Sequence, residues 1–155
     1  MKLGDVLKKE RERRKLTIED VVRRLGIPME QYMEMEGGVS PAEEWGPRLA
    51  LIAIALQTPT TRFIAETGKS AQANQSEGQC GKLISAHRQR KGLSQKELSE
   101  KLEISISELE NIEAGKTVLE IYAPILLSFA ETVDQPIFNL FYPCGLPLAQ
   151  LTDYP

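Results

Sequence analysis

Cys80, His87 and Cys144 are the residues of this 155-residue sequence whose side chains could bind a metal or act as nucleophiles. Cys80 and His87 are seven positions apart, which places them on roughly the same face of a helix. A zinc site would need a fourth ligand at a customary spacing, and a cysteine–histidine nucleophile would need an orienting acid. The sequence offers neither, so we expect no metal, no cofactor and no enzymatic activity.

The stretch 93–116, LSQKELSEKLEISISELENIEAGK, contains two helix starts. Ser94 and Ser105 are each followed three residues later by a glutamate, which is the pattern of a capping box. The joint between the two helices is short, and Gly115 stands where the end of the second helix needs a left-handed residue. Two short amphipathic helices with so small a joint predict a helix-turn-helix.

The pattern around this stretch resembles the lambda-repressor-like (XRE, Cro/repressor) DNA-binding domain. The residues that carry the resemblance are Gly81, Arg88, Gly92, Leu93, Ser94, Gln95, Leu98, Ile112, Glu113 and Gly115. The resemblance implies an all-α domain of five helices in which the third helix enters the major groove of DNA.

The sequence also matches itself at an offset of 77 residues. The alignment runs without a gap from Gly4 on Gly81 to Ile64 on Phe141, and its identities fall on turn, cap and core positions. Identical pairs include Arg11/Arg88, Leu16/Leu93, Leu25/Leu102, Ile27/Ile104, Glu36/Glu113, Gly38/Gly115, Pro47/Pro124, Leu49/Leu126, Ala53/Ala130 and Pro59/Pro136. We interpret the chain as a tandem duplication, so the predicted fold is all-α with two tandem five-helix lambda-repressor-like domains.

Four segments follow from this alignment. Residues 1–66 form a degenerate N-terminal helix-turn-helix domain, and residues 80–141 form the C-terminal one. Between them, residues 67–79 are small and polar, as in a flexible linker. Residues 142–155 make a tail with three prolines whose apolar side chains we expect to pack on a domain surface or a partner.

Helix boundaries in the N-terminal half can be predicted from its caps and breakers. We expect helices over residues 3–14, from Thr17, from Pro28 to Gly37, over residues 41–57 and over residues 59–66.

The family resemblance implies two structural ion pairs. Arg11 would pair with Glu36 and Arg88 with Glu113, tying the first helix of each copy to the end of the third. Removing one partner of such a buried pair costs roughly 3–5 kcal/mol. We therefore assign these four side chains to the fold and do not count them among DNA ligands.

The same resemblance, carried over by position, implies a set of residues that bind double-stranded DNA. The set is Ser94, Gln95, Lys96, Ile106, Ser107, Asn111 and Lys116. Asn111 could hold an adenine through two hydrogen bonds, and Ile106 could touch a thymine methyl group. Ser94 and Gln95 would contact the DNA from the start of the second helix, and Lys116 would meet a phosphate.

The first copy fits DNA binding less well. Ile18 stands where the pattern has glutamine, and the third helix presents Met29, Glu30, Met33 and Glu34 without any lysine or arginine. Outward carboxylates in a DNA groove would be repelled by the phosphates. Flexible methionine side chains suit adaptable protein-binding surfaces, so this helix could instead bind a protein partner.

Overall charge does not favour a strongly basic nucleic-acid binder, since the net charge is −3 and the pI about 5.4. Two functions therefore remain open. The first is a sequence-specific DNA-binding transcriptional regulator that uses the second helix-turn-helix as its main reader. The second is a helix-turn-helix fold that has lost DNA binding and serves as a protein–protein interaction or dimerisation module.

Assembly and location are predicted from apolar segments. The last helices, around Phe63 and around residues 137–141, could pair within the chain as a pseudo-dimer or between chains as a homodimer.

The longest apolar stretch, residues 49–56, is too short to span a membrane, and no signal peptide follows Met1. With two cysteines and no disulfide framework, we expect a cytoplasmic protein.

Overall fold

The computed structural model describes residues 1–68 and 75–146, and every regular element in these ranges is helical. The first half contains α1 (Leu3–Arg13), α2 (Ile18–Leu25), α3 (Met29–Glu36), α4 (Ala42–Leu56) and a 3-10 helix (Thr60–Phe63). The second half contains α5 (Gln79–Arg90), α6 (Gln95–Leu102), α7 (Ile106–Glu113), α8 (Leu119–Thr132), α9 (Phe138–Phe141) and a 3-10 helix (Tyr142–Cys144). The prediction of an all-α protein is confirmed for the described ranges.

The N-terminal half differs from the sequence prediction at its last helix. A single 3-10 turn, Thr60–Phe63, replaces the helix expected over residues 59–66. Phe63 and Ile64 are fully buried there, so packing rather than helix length holds the segment. The side-chain amide groups of Gln75 and Gln79 donate to the carbonyl oxygen of Ile64 at 3.1 and 2.7 Å.

Parts of the predicted linker and tail can be placed. The segment predicted as a linker ends inside α5, which begins at Gln79, and residues 69–74 lie outside the described residues. In the tail, Tyr142–Cys144 lies beside α1 and α9, and Leu146 packs against the core. Residues 147–155 lie outside the described residues.

Within each half, the first and third helices touch at a glycine. A Cβ atom on Gly4 would lie 2.4 Å from the carbonyl oxygen of Met35, and one on Gly81 would lie 2.3 Å from that of Ile112. Because Cβ atoms do not approach backbone oxygens so closely, only glycine allows α1 to cross the end of α3 and α5 to cross the end of α7.

The contacts between the halves are reciprocal. The fourth helices, α4 and α8, pack on each other; α2 packs on α8 while α6 packs on α4. In the same way α1 contacts α9, and α5 contacts the 3-10 helix Thr60–Phe63. The buried side chains of both halves belong to one continuous apolar core, in which Tyr32 of α3 stacks on Phe129 of α8 at 6.3 Å between ring centroids.

Candidate nucleic-acid interface

The start of α6 is fixed by a complete capping box. The Ser94 hydroxyl accepts from the backbone N–H of Glu97 at 3.1 Å, and the Glu97 carboxylate accepts from the backbone N–H of Ser94 at 3.1 Å. Hydrogen bonds from Ser94 lower the pKa of the Glu97 carboxyl group, which stays ionised at neutral pH. The capping box therefore fixes where α6 starts, and the first backbone N–H groups of the helix can face an anion.

The start of α7 departs from the prediction. The Ser105 hydroxyl accepts from the backbone N–H of Glu108 at 3.1 Å, but the reciprocal bond from the Ser105 backbone N–H to the Glu108 carboxylate is not formed in the described structure. The capping box predicted at Ser105 is thus only half present, because the exposed Glu108 carboxylate remains in solvent. Glu108 and Glu110 both place negative charge on the exposed surface of α7.

A left-handed residue joins α6 to α7. Glu103 ends α6 with φ 58° and ψ 40°, and Gly26 occupies the equivalent place after α2 with φ 68°. The turn directs Leu109 and Ile112 of α7 into the core, where both are fully buried. The opposite face of α7 consequently faces solvent.

Six of the seven residues predicted to bind DNA are exposed: Ser94, Lys96, Ile106, Ser107, Asn111 and Lys116. Gln95 is half-buried. The backbone N–H of Lys116 donates to the carbonyl oxygen of Asn111 at 3.0 Å, which places the lysine directly beyond the end of α7. Ile106 and Ser107 lie at the other, N-terminal end of that helix.

Gln95 brings the two helices of the motif together. Its side-chain N–H donates to the Glu113 carboxylate at 3.2 Å, so the start of α6 is bound to the end of α7. The same carboxylate is paired with Arg88 of α5. Sequence patterns place Gln95 near this end of the motif, but its bond to Glu113 depends on the packing of three helices.

Both ion pairs expected from the family resemblance are present. Arg11 Nε lies 2.6 Å from Glu36 Oε2, and Arg88 Nε lies 2.8 Å from Glu113 Oε2. Each guanidinium also donates to the backbone carbonyl that precedes the second helix, that of Leu16 or its counterpart Leu93. With side chains only 7–11% exposed, the pairs tie the first helix of each half to the end of the third and to the segment before the second.

The corresponding surface of the first half is apolar and acidic. Met29 and Met33 of α3 are 38% and 53% exposed, and Glu30 and Glu34 beside them are exposed as well. Val39, at the position equivalent to Lys116, is 76% exposed. This surface lacks the side chains that bind phosphate.

Two glutamates with a structural role were not identified from the sequence. Glu43 of α4 accepts from the backbone N–H groups of Leu3 and Gly4 at 3.1 and 2.6 Å. Glu120 of α8 accepts from those of Cys80 and Gly81 at 3.0 and 2.9 Å. Glu43 and Glu120 are 77 residues apart, so they are an identical pair in the internal alignment. That identity is the feature of the sequence from which their shared role could have been predicted. Glu43 thus caps the start of α1 and Glu120 caps the start of α5, although each glutamate is 39 or 40 residues further along the chain than the N–H groups it binds.

Cys80, His87 and Cys144, the candidates for metal binding or nucleophilic chemistry, have separate environments in the structure. Cys80 is buried, and burial raises the pKa of its thiol. Cys144 donates to the Leu140 carbonyl oxygen, while His87 packs edge-on against Phe63. Among the described residues, no group of three or more His, Cys, Asp or Glu side chains is arranged to hold a metal ion.

Residues 81–141 match the family model of the helix-turn-helix domain. The matched range begins at the glycine contact of α5 and ends with α9. No curated protein and no solved structure matches the chain. The match confirms the predicted helix-turn-helix in the second half and supports DNA as its ligand.

In the ranges that the structure describes, no helix is long and apolar enough to cross a membrane.

Proposed function

We propose that the protein is a cytoplasmic, sequence-specific DNA-binding transcriptional regulator whose second helix-turn-helix is the main reader. The bond from Gln95 to Glu113 carries this proposal, because it fixes the start of α6 against the end of α7. The surface it organises has exposed hydrogen-bonding and cationic side chains at both helices.

Each exposed residue has a role that suits its chemistry. Ser94, Lys96 and Lys116 would contact phosphates, which position the protein on the duplex without reading its sequence. Asn111 would bind adenine through its amide, and Ile106 would touch a thymine methyl group. Ser107 would bond to a base edge from the N-terminal end of α7, where recognition helices make base contacts.

We also propose that the chain is a tandem duplication arranged as an intrachain pseudo-dimer. The support comes from repeated interactions at the 77-residue offset: the ion pairs of Arg11 and Arg88 and the helix caps of Glu43 and Glu120. The reciprocal packing of α4 on α8 resembles an isologous interface between subunits. Light scattering should then give the mass of one chain, whereas twice that mass would favour the homodimer.

A binding experiment tests the DNA proposal. Gel shifts with genomic fragments at about 50 and 200 mM salt should show a specific complex whose affinity falls only modestly with salt, since few cations face the DNA. Asn111→Ala should weaken that complex by about tenfold or more, in line with the 1–3 kcal/mol of a bidentate base contact. Absence of any complex at the lower salt concentration would overturn the proposal.

The first half supplies matched controls. Glu34→Ala and Val39→Ala alter the positions equivalent to Asn111 and Lys116. If the second copy is the main reader, neither control variant should weaken DNA binding, whereas Lys116→Ala should lower affinity and reduce the salt slope by about one.

The exposed methionines of α3 favour a second function, binding of a protein partner. Met29 and Met33 flank two exposed carboxylates, so the partner should present apolar side chains together with basic ones. Combined substitution Met29→Ser and Met33→Ser should then abolish recovery of one defined protein from a cell lysate. The same protein bound equally by both forms would rule out this surface.

A further inference from the structure

A cavity of about 380 Å³ lies at the seam between the halves, and two arginines are among the residues that line it. Its lining residues are Arg62 and Glu66 from the first half and Leu83, His87 and Arg90 from α5. Positive groups from two halves therefore converge on one cavity, outside the surface formed by α6 and α7.

His87 is held in a defined position within this cavity. Its ring meets Phe63 edge-on, with 5.4 Å between ring centroids and 81° between planes. Burial and the charges of Arg90, Arg62 and Lys91 lower the pKa of the imidazole. Two guanidinium groups, those of Arg62 and Arg90, and the carboxylate of Glu66 line the cavity beside His87, so an anion there would meet a surplus of positive charge.

The equivalent place in the other half has the same balance of charges, but its arginine is already paired. There Glu10 stands in place of His87 and pairs with Arg13, the counterpart of Arg90, at 3.1 Å. Asn139 stands in place of Arg62. The resulting cavity, about 250 Å³, is also lined by Lys9, but its arginine already has a carboxylate partner.

We propose that Arg62, His87 and Arg90 form a binding site for the phosphate group of a small phosphomonoester. Two guanidinium groups suit a tetrahedral dianion, because each can present parallel N–H donors to its oxygens. Arg62 donates through Nη1 to the backbone carbonyl of Glu66, which leaves Nε and Nη2 for the phosphate. Since Arg62 and the α5 residues come from different halves, the bound phosphate bridges the seam.

Inorganic phosphate is the first probe. Following the His87 ring signals by NMR at constant ionic strength, phosphate should bind saturably and raise the imidazole pKa, while chloride should do neither. Arg62→Gln and Arg90→Gln should each weaken phosphate binding by about tenfold, the typical effect of losing a charge-assisted hydrogen bond. Both residues are exposed, so near-ultraviolet circular dichroism should confirm that the variants fold.

Arg13→Gln is the matched control and should leave phosphate binding unchanged. Equal weakening by Arg13→Gln, or a response to phosphate that chloride reproduces, would overturn the proposal. Phenyl phosphate and a short DNA duplex separate the two sources of phosphate. Competition by phenyl phosphate supports a small phosphomonoester, whereas competition by the duplex alone would show a DNA backbone contact and overturn it.

Discussion

Gln95 and Glu113 connect the start of α6 to the end of α7 through a hydrogen bond of 3.2 Å. Because Glu113 is also paired with Arg88, one carboxylate holds all three helices around the proposed reading surface. The first half has Ile18 in place of Gln95 and so lacks this connection, although its own ion pair is intact.

Gln95→Ala should reduce both DNA affinity and stability. Loss of the bond to Glu113 should cost about 1 kcal/mol of the free energy of unfolding, measured by urea denaturation. DNA affinity should fall by about tenfold or more, measured by fluorescence anisotropy. Ile18→Ala serves as the control, since it should lower stability through lost packing and leave DNA affinity unchanged. Wild-type affinity in Gln95→Ala would contradict the proposed role.

Arg88→Met should destabilise the fold far more than substitution of an exposed arginine. It leaves the buried Glu113 carboxylate without its cation, and the expected cost is about 3–5 kcal/mol in the free energy of unfolding. The double variant Arg88→Met with Glu113→Leu should recover part of this loss, because no unpaired charge remains. Arg23→Met, at an exposed residue, should change stability by less than about 0.5 kcal/mol. A similarly small effect at Arg88 would show that the pair contributes little.

Glu103→Gly and Lys15→Gly should stabilise the protein. Both residues have left-handed backbones, with φ of 58° and 56°, where the other half has Gly26 or Gly92. Relief of the left-handed penalty exceeds the added entropy of the unfolded chain, for a net gain of about 0.5–1 kcal/mol. The reverse changes, Gly26→Glu and Gly92→Lys, should lower the melting temperature. Lower stability in Glu103→Gly would indicate that its side chain makes a stabilising interaction.

Acid should destabilise the protein partly through the capping boxes at Thr17 and Ser94. The cap at Thr17 lowers the pKa of Asp20, and the cap at Ser94 lowers that of Glu97. A carboxyl group with a depressed folded pKa contributes stability above its ordinary pKa, here 3.8 or 4.5, and loses it as pH falls through the folded value. Ser94→Ala should therefore lower the free energy of unfolding more at neutral pH than at pH 3, measured by urea denaturation at both pH values. A loss that is equal at both pH values would exclude the carboxylate from the cap.

Cys80 should react with a thiol reagent only when the core opens. Its side chain is 1% exposed, and burial raises its pKa, so the native thiol is both inaccessible and protonated. In Cys144→Ser, labelling of Cys80 should be slow in buffer and accelerate with urea along the unfolding transition. Rapid labelling in buffer would show that the start of α5 opens independently of the rest of the core.

Sequence alone determined the helical class, the helix-turn-helix and the type of residue at each cap, because these depend on local spacing. Ser94 and Glu97, three residues apart, define their capping box in any context that allows a helix. Sequence spacing predicted the second box at Ser105 equally strongly, yet the exposed Glu108 carboxylate does not close it. The local sequence pattern shows which hydrogen bonds can be made. The surroundings of each side chain decide which of these hydrogen bonds are made.

Tertiary structure alone decided how the halves meet. No local spacing relates α4 to α8, Gln95 to Glu113 or Arg62 to His87, since these contacts join residues that are distant in the chain. The polar segment before α5 predicts a connection between two units, and only the packing shows that the apolar faces of both halves share one core. When these faces pack on each other, more apolar surface is removed from water than either half could bury alone, and this stabilises the packed arrangement. Because the halves pack in this way, Arg62 of the first half and Arg90 of the second line the same cavity.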